Sequence, residues 1–309
     1  MFSFFRKNNN NSPKPEWASF FTDKEYAVFI EKADNYFKKL KIEYQIFEGY
    51  LEVDSKDFGF ERLGLTNVAQ VCKHESIVYY GKIISAHFDS MKRANRFDME
   101  FNAIVDDFEQ AKKYIGVRLY DNEYIATVGK ENTVGVDITG DIYAMLVFDL
   151  PDSVINIKPE QTEKWNKTKD YLFNLGIANI KDNYSISISE EQFDKFNIWF
   201  VQSDVFFTGN IIFELDKNPK LIGKKGSLIG LPHRHAVLIY PINSLETITT
   251  ISILIPMIYG MNQEGPGSLS NNLIWYFNGK FTNLPYKMDN DKLEFSPTES
   301  FLDILNEFE

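Results

Sequence analysis

The spacing of apolar residues changes near residue 113, and this change constrains the fold more than any other feature of the sequence. In the segment 23–41 apolar residues recur every three or four positions, which predicts an amphipathic helix. In later segments, such as 142–150 and 236–242, they form short continuous apolar runs, which are typical of strands. The sequence therefore predicts an α+β fold, with a helix-rich N-terminal part followed by a mainly antiparallel sheet with packed helices.

Three segments are expected along the chain. Residues 1–16 should form a flexible tail, because asparagines and a Ser-Pro-Lys-Pro sequence offer nothing to bury. Residues 17–113 should form the helix-rich part with a small hairpin, and residues 114–309 the strand-rich part. We expect the two parts to fold as one cooperative unit.

Turn signals predict the antiparallel pairing. Residues 44–53 alternate around Glu48-Gly49, Pro151-Asp152 separates two strands, and Asn278-Gly279 is a type I′ hairpin signal. Strand–helix–strand alternation, which would indicate a parallel sheet, is scarce.

Further local patterns predict individual elements. A helix over about 159–175 is expected to close near Gly176. The acidic pair Glu190-Glu191 is expected in a short turn or helix between two strands. Pro297 is expected to open a final helix, with Ser296 as its cap.

The charge balance is acidic. Lysine and arginine total 33 and aspartate and glutamate total 44, which gives a formal net charge of −11. An acidic surface repels phosphate backbones, so a dedicated nucleic-acid-binding protein is not expected. The partner is predicted to be another protein, which the 15% aromatic content also favours.

A cytoplasmic location is expected. The single cysteine, Cys72, lies among apolar neighbours and is interpreted as a buried, inert thiol, which fits a reducing compartment. Residues 1–16 lack the apolar run of a signal peptide. The most apolar later stretch, Ile248–Met261, contains Pro256 and is too short to span a bilayer, so no membrane insertion is expected.

The most interesting side chains for chemistry are His233, Arg234 and His235. On a strand, residues two apart share a face, so both imidazoles could meet one metal ion, or grip one anion with Arg234 pointing away. Zinc would need at least a third ligand, and no second pair with ligand spacing is visible, so no metal is assigned. The alternative is a turn between two strands with polar residues at its tip.

The loop 261–272 is the second candidate for binding. Two glycines and a proline separate a buried helix from a strand there, and polar side chains, among them Asn262, Gln263 and Glu264, crowd it. An ordinary connector is the alternative. Phosphate-loop, dinucleotide and serine-hydrolase motifs are absent, and no cofactor is predicted.

Six segments, together with the order of elements, carry a resemblance to a known family: LGLTNVAQVCKH (63–74), GVRLY (116–120), NIKPEQTEKW (156–165), QSDVFFTGNIIFEL (202–215), GSLIGLPHRHAVLIYPI (226–242) and LSNNLIWYFNGKFTNLPY (269–286). They resemble the YtpQ-like bacterial family, whose function is unknown. The resemblance covers about residues 23–286 and implies one mixed α/β unit, and it carries over no set of catalytic residues.

Two functions of different class are compatible with these observations. The first is an accessory or protein-interaction protein without catalytic activity, for example one that neutralises a basic partner as immunity proteins do. The second is a metal-assisted or acid/base enzyme that uses the segment 233–235. Acidic pairs such as Asp137 and Asp141 are candidates for acid/base work, with a solvated surface as the alternative.

Overall fold

Helices form the N-terminal part of the chain and antiparallel sheets follow, which confirms the α+β prediction. The computed structural model describes residues 14–54, 56, 58–193, 196–289 and 292–308. Residues 1–13 of the predicted tail lie outside these ranges. Two compact units divide the chain: unit 1 comprises Met1–Ala103 with Leu150–Ser153, and unit 2 comprises Ile104–Asp149 with Val154–Glu309. Cooperative folding of the whole chain stays a prediction.

The bounds of the elements are as follows. The α-helices are α1 (Asp23–Leu40), α2 (Thr66–Lys73), α3 (Tyr80–Asn102), α4 (Phe108–Ala111), α5 (Asn122–Val128), α6 (Pro159–Trp165), α7 (Lys169–Asn183), α8 (Thr247–Glu264) and α9 (Glu299–Asn306). The strands are β1 (Tyr44–Ile46), β2 (Tyr50–Val53), β3 (Arg62–Gly64), β4 (Ile115–Asp121), β5 (Gly135–Asp137), β6 (Ile142–Leu150), β7 (Ser153–Asn156), β8 (Ile188–Phe193), β9 (Phe196–Gln202), β10 (Ser227–His233), β11 (Ala236–Pro241), β12 (Leu273–Phe277), β13 (Lys280–Leu284), β14 (Tyr286–Asp289) and β15 (Lys292–Phe295). Short 3-10 helices lie at Glu16–Ala18, Ile77–Tyr79, Lys112–Tyr114, Lys130–Asn132, Thr208–Lys217 and Pro219–Leu221.

Unit 1 is built on helices with an aromatic core. Thr22 and Glu25 form a reciprocal cap at the start of α1: the Glu25 N–H donates to the Thr22 hydroxyl at 3.3 Å, and the Thr22 N–H donates to the Glu25 carboxylate at 2.7 Å. Helices α1 and α3 pack together through Phe37 and Phe88, whose ring centroids are 4.9 Å apart. Strands β1, β2 and β3 pair in antiparallel order, and Gly49 adopts a φ of +76° at the predicted turn.

Unit 2 is built on antiparallel sheets. The largest has the order β13-β12-β10-β11-β9-β8, and a second contains β4-β6-β5 with β7 paired to β6. Strands β14 and β15 form a separate hairpin. Helix α8 packs on β10 at Gly230, where an added Cβ would lie 2.4 Å from Ile258. The side chains between them are buried and mostly aliphatic, so β10 lies in the centre of the core.

The predicted helix over 159–175 is wrong in its bounds. Asn166 adopts a φ of +49°, which ends α6, and α7 then runs through Gly176 to Asn183. Gly176 does not stop the helix. It lets α7 approach β4 closely, because an added Cβ would lie 2.9 Å from the Gly116 backbone.

Two further local predictions are wrong. Glu190 and Glu191 lie in strand β8 and not in a turn or helix, because β8 is an edge strand whose exposed positions carry polar side chains. Helix α9 begins at Glu299, with Thr298 and not Ser296 at the N-cap position. Pro297 therefore lies outside the helix that it was expected to open.

Cys72 is buried, as predicted, and burial raises the pKa of its thiol to about 12. Within the described ranges, none of the helices is long and apolar enough to cross a membrane.

Candidate anion-binding site

The structure brings the two predicted candidate segments together. His233 ends β10 and is 8% exposed, while Arg234 and His235 form the turn to β11 and are half-buried. The Asn262 side-chain amide donates to the Pro232 carbonyl at 2.7 Å, and the Arg234 N–H donates to the Gly267 carbonyl at 3.1 Å. The turn and the loop after α8 therefore form one structural feature.

Gln263 and Glu264 lie at the exposed end of α8. Gln263 donates only a long hydrogen bond, 3.4 Å, to the Asn262 side-chain carbonyl. Among the hydrogen bonds and ion pairs of the described residues, neither side chain contacts the turn. Of the three loop candidates, Asn262 alone is placed against the histidine–arginine segment.

Two glycines make room for the side chains of the turn. An added Cβ at Gly265 would lie 2.2 Å from the His233 ring, and one at Gly267 would lie 2.0 Å from Arg234 Nε. Gly267 also adopts a φ of +71°, a conformation that other residues rarely take. The two glycines of this Gly-Pro-Gly sequence therefore let an imidazole and a guanidinium lie close to the loop backbone.

Sequence reasoning missed two residues that complete the site, Arg118 and Phe206. Along β4, Val117 and Leu119 alternate with Arg118, which places the arginine on the opposite sheet face. The guanidinium carbons of Arg118 and Arg234 lie 5.4 and 5.1 Å from the ring centroid of Phe206, which is 48% exposed. We call Arg118, Phe206 and Arg234 the arginine site.

A signal for this site was present in the sequence. From residue 104 to residue 309 the chain contains only two arginines, Arg118 and Arg234. Their meeting at one ring depends on contacts between distant strands, which no local pattern encodes.

The positive charge of the arginine site is not compensated by an ion pair. Neither guanidinium forms one with a described residue, and the Nε atom of each is buried without a hydrogen-bond partner. Burial, with the neighbouring Arg118 charge, lowers the pKa of Arg234 to about 10. Two like charges and two orphaned donors therefore lie around one phenyl ring.

Asp149, a carboxylate whose charge interacts with that of Arg118, has another partner. It accepts a hydrogen bond from the Tyr184 hydroxyl at 2.8 Å. Burial raises the pKa of Asp149, although this hydrogen bond and the Arg118 charge act in the opposite direction. Its carboxylate thus offsets the charge of Arg118 only at longer range.

His235 lies beside the arginine site with a defined tautomer. Its Nδ1 lies 3.1 Å from the Ser203 carbonyl, which can only accept, so Nδ1 carries the proton and Nε2 of the neutral ring keeps a lone pair. The ring meets Phe206 edge to face, with centroids 5.4 Å apart. Burial lowers the pKa of His235, and Arg234 and Arg118 add to this effect, whereas Ser203 and Asp204 oppose it.

The two histidines do not form a metal centre with the residues around them. Their ring centroids are 6.2 Å apart, and His233 Nδ1 accepts the His235 N–H at 3.3 Å. Over the part of the chain that the structure describes, no group of three or more histidine, cysteine, aspartate or glutamate side chains could hold a metal ion. Arg234 does not point away from the histidines either, since it packs on the ring that also contacts His235.

The candidate acid pair Asp137 and Asp141 is not a pair. Asp137 forms an exposed ion pair with Lys130, at 2.7 Å. Asp141 is half-buried and accepts hydrogen bonds from four side chains. These donors are the hydroxyls of Thr139 and Ser270 and the amides of Asn272 and Asn283.

The charge of Asp141 is stabilised by its neighbours. Burial alone would raise the pKa of its carboxyl group, but the four hydrogen bonds outweigh burial and the pKa is lowered. Asp141 therefore fixes the end of the loop that carries Gly265 and Gly267, and its role is structural.

Comparison of the chain with protein-family models, with curated proteins and with solved structures gives no match. The resemblance to the YtpQ-like proteins therefore stays a prediction.

Proposed function

We propose that the protein is a non-catalytic accessory protein of the cytoplasm that binds another protein through the arginine site. The observation that carries this proposal is an exposed phenyl ring, Phe206, in contact with two half-buried guanidinium groups that have no ion pair among the described residues. Aromatic side chains and arginine are the residue types enriched at the energetic centres of protein interfaces.

Charge indicates what the partner presents. The chain has a net charge of −11, so the arginine site is a local positive spot on an acidic protein. An acidic group of the partner would be attracted to it, and a basic group would be repelled. A role in neutralising a basic partner would therefore have to use another surface.

The arginine site also has the rigidity that recognition needs. Ser203 binds His235 twice, because its N–H donates to the His235 carbonyl at 3.2 Å and its own carbonyl accepts from His235 Nδ1. Arg234 is held against the backbone of Gly267. A binding group that is already ordered loses little conformational entropy when the partner arrives.

Site-specific photo-crosslinking in the cells that produce the protein tests the proposal. A photoreactive phenylalanine analogue placed at Phe206 should yield a discrete adduct with one partner protein. The same analogue at Tyr171, which is also an aromatic residue of unit 2 with 48% exposure, should not yield that adduct. Replacing both Arg118 and Arg234 by glutamine should abolish the adduct at position 206.

Two outcomes would overturn the proposal. One is the absence of any discrete adduct at position 206 in cells grown under several conditions. The other is the same set of adducts from positions 206 and 171, which would indicate random collision.

A further inference from the structure

We propose that the arginine site takes a phosphate monoester, so that the partner is a phosphorylated protein. This inference rests on the proposed function and specifies the group that the partner presents.

The arginine site carries two positive charges. Arg118 and Arg234 each carry a positive charge, and neither is neutralised by an ion pair within the described residues. A phosphate monoester carries close to two negative charges at neutral pH, whereas a carboxylate carries one. Only the dianion compensates both guanidinium groups at once.

The number of donors leads to the same ligand. A guanidinium presents five N–H groups in a planar fork, and two forks at one ring offer more donors than a single carboxylate can accept. A phosphate monoester presents three strong acceptor oxygens, which can be shared between Arg118 and Arg234. Arginine clusters are a recurring solution for recognising phosphorylated side chains.

His235 supplies a third donor when the anion is present. Its Nδ1–H is held by the Ser203 carbonyl, so a proton that it takes up goes to Nε2. The charged and titratable groups that face it are His233 and Arg234 in its own turn, Arg118 on β4, and Asp204 in the segment before Phe206. A bound dianion counteracts the two arginines and favours the protonated ring.

The remaining features favour a protein carrier over a nucleic acid. Phe206 is exposed beside the two guanidinium groups, so the carrier of the phosphate can place apolar or aromatic atoms against it. A phosphodiester carries one charge per phosphate, and a polyanion is repelled by a chain of net charge −11.

The first experiment is calorimetric titration of the whole protein with inorganic phosphate and with acetate, at pH 7.5 and low ionic strength. Phosphate should bind more tightly than acetate. Arg118→Gln and Arg234→Gln should each weaken phosphate binding roughly tenfold or more, as expected for a hydrogen-bonded charge pair. Arg93→Gln is the matched control and should leave the affinity unchanged, because Arg93 is paired with Asp152. Equal binding of acetate, or an equal loss in the control, overturns the phosphate assignment.

The second experiment uses sulfate, a dianion that does not titrate between pH 6 and pH 8. Sulfate should bind more tightly at pH 6 than at pH 8, and His235→Gln should remove this difference while binding itself persists. A pH-independent affinity in the unchanged protein overturns the role of His235 as third donor.

The third experiment separates the two sources of a phosphate monoester. A set of phosphorylated peptides, their unphosphorylated forms and glycerol 3-phosphate are compared by fluorescence anisotropy or competition. At least one phosphopeptide should bind roughly tenfold more tightly than glycerol 3-phosphate, because Phe206 contacts the carrier. Equal binding of glycerol 3-phosphate would show a site for small phosphates and overturn the protein partner.

The outcomes distinguish this inference from the proposed function. If no anion binds while position 206 still crosslinks to one partner, the phosphate assignment fails and the partner-binding function stands. If anions bind and no partner crosslinks, the proposed function fails.

Discussion

Arg93 in unit 1 and the two arginines of unit 2, Arg118 and Arg234, have opposite environments. In unit 1, Arg93 forms a bidentate pair with Asp152, with Nε–Oδ2 and Nη2–Oδ1 distances of 3.0 and 2.8 Å, and Ser90 donates to the same carboxylate. In unit 2, Arg234 and Arg118 share one phenyl ring, and the Nε of each is buried without a partner. The first arrangement satisfies its charge internally, whereas the second has no ion pair among the described residues.

This difference separates a structural arginine from the two arginines to which we assign partner binding. A buried donor without a partner destabilises a fold, and a bound ligand that supplied the partner would remove this cost. Solvent exposure alone does not separate the two cases. Arg93 is exposed, whereas Arg118 and Arg234 are half-buried, and yet Arg93 is the arginine that forms an ion pair.

The largest effect on the free energy of unfolding is expected at Asp141 in unit 2, whose half-buried charge accepts four side-chain hydrogen bonds. Asp141→Ala leaves four side-chain donors without their acceptor and should lower the free energy of unfolding by about 3 kcal/mol. Denaturant titration measures it. Asp137→Ala, which removes an exposed ion pair with Lys130, is the control and should leave stability unchanged within error. Similar values for the two variants would contradict the assignment of Asp141 as a structural carboxylate.

Acid should destabilise the turn of the arginine site. Burial, with the charges of His235 and Arg234, lowers the pKa of His233 to about 4, compared with 6.5 in the unfolded chain. The unfolded state therefore takes up the proton first, so stability is fully present above pH 6.5 and is lost as the pH falls towards 4. The loss due to His233 should reach about 2 kcal/mol at pH 5. His233→Asn should flatten the curve of unfolding free energy against pH, and an unchanged slope would show that other groups cause it.

A smaller effect on stability is expected at Gly267, whose backbone lies against the Arg234 side chain. Gly267→Ala imposes a Cβ at a φ of +71° and at 2.0 Å from Arg234 Nε, so it should cost about 1–2 kcal/mol and displace the guanidinium. Gly279→Ala is the matched control, because Gly279 has a φ of +76° and open space around an added Cβ. Thermal unfolding and phosphate affinity are measured together. The melting temperature should fall in both variants, whereas the affinity for phosphate should fall only in Gly267→Ala. A retained affinity would indicate that Arg234 does not need Gly267.

The smallest effect is expected from removing the arginines themselves. Arg93→Gln should lower the melting temperature slightly, because Asp152 loses its bidentate partner. Arg234→Gln should leave the melting temperature unchanged or raise it, because it removes one of two neighbouring like charges and an orphaned donor. Differential scanning calorimetry resolves the sign. A clear fall in Arg234→Gln would show that this guanidinium stabilises the fold, and would remove the contrast with Arg93.

Features with a local cause were predictable from the sequence. The amphipathic helix predicted over 23–41 and the hairpin at Asn278-Gly279 depend on residues a few positions apart, and both form as expected. The role of Gly176 could not be predicted from its own helix. A glycine is required there because the backbone of Gly116, sixty positions away in the chain, lies close to it. The acidic strand containing Glu190 was misread because an edge strand need not alternate in polarity.

The candidate site shows the same limit. His233, Arg234 and Asn262 were named from the composition of two loops, which is a local property. Their meeting through the Pro232 carbonyl, and the approach of Arg118 to Phe206, depend on which strands lie next to one another. A pattern of spacing in one segment holds no information on either contact.

The hydrogen bonds of Asp141 also set an order of events during synthesis of the chain. Ser270, Asn272 and Asn283 follow Asp141 by 129, 131 and 142 residues. After Asp141 has been added to the growing chain, 142 further residues must therefore be added before Asn283, the last donor to Asp141, exists. A chain that ends before Ser270 already carries both arginines but lacks the anchor of the loop behind Arg234. The proposed recognition therefore requires a chain that extends at least through Asn272.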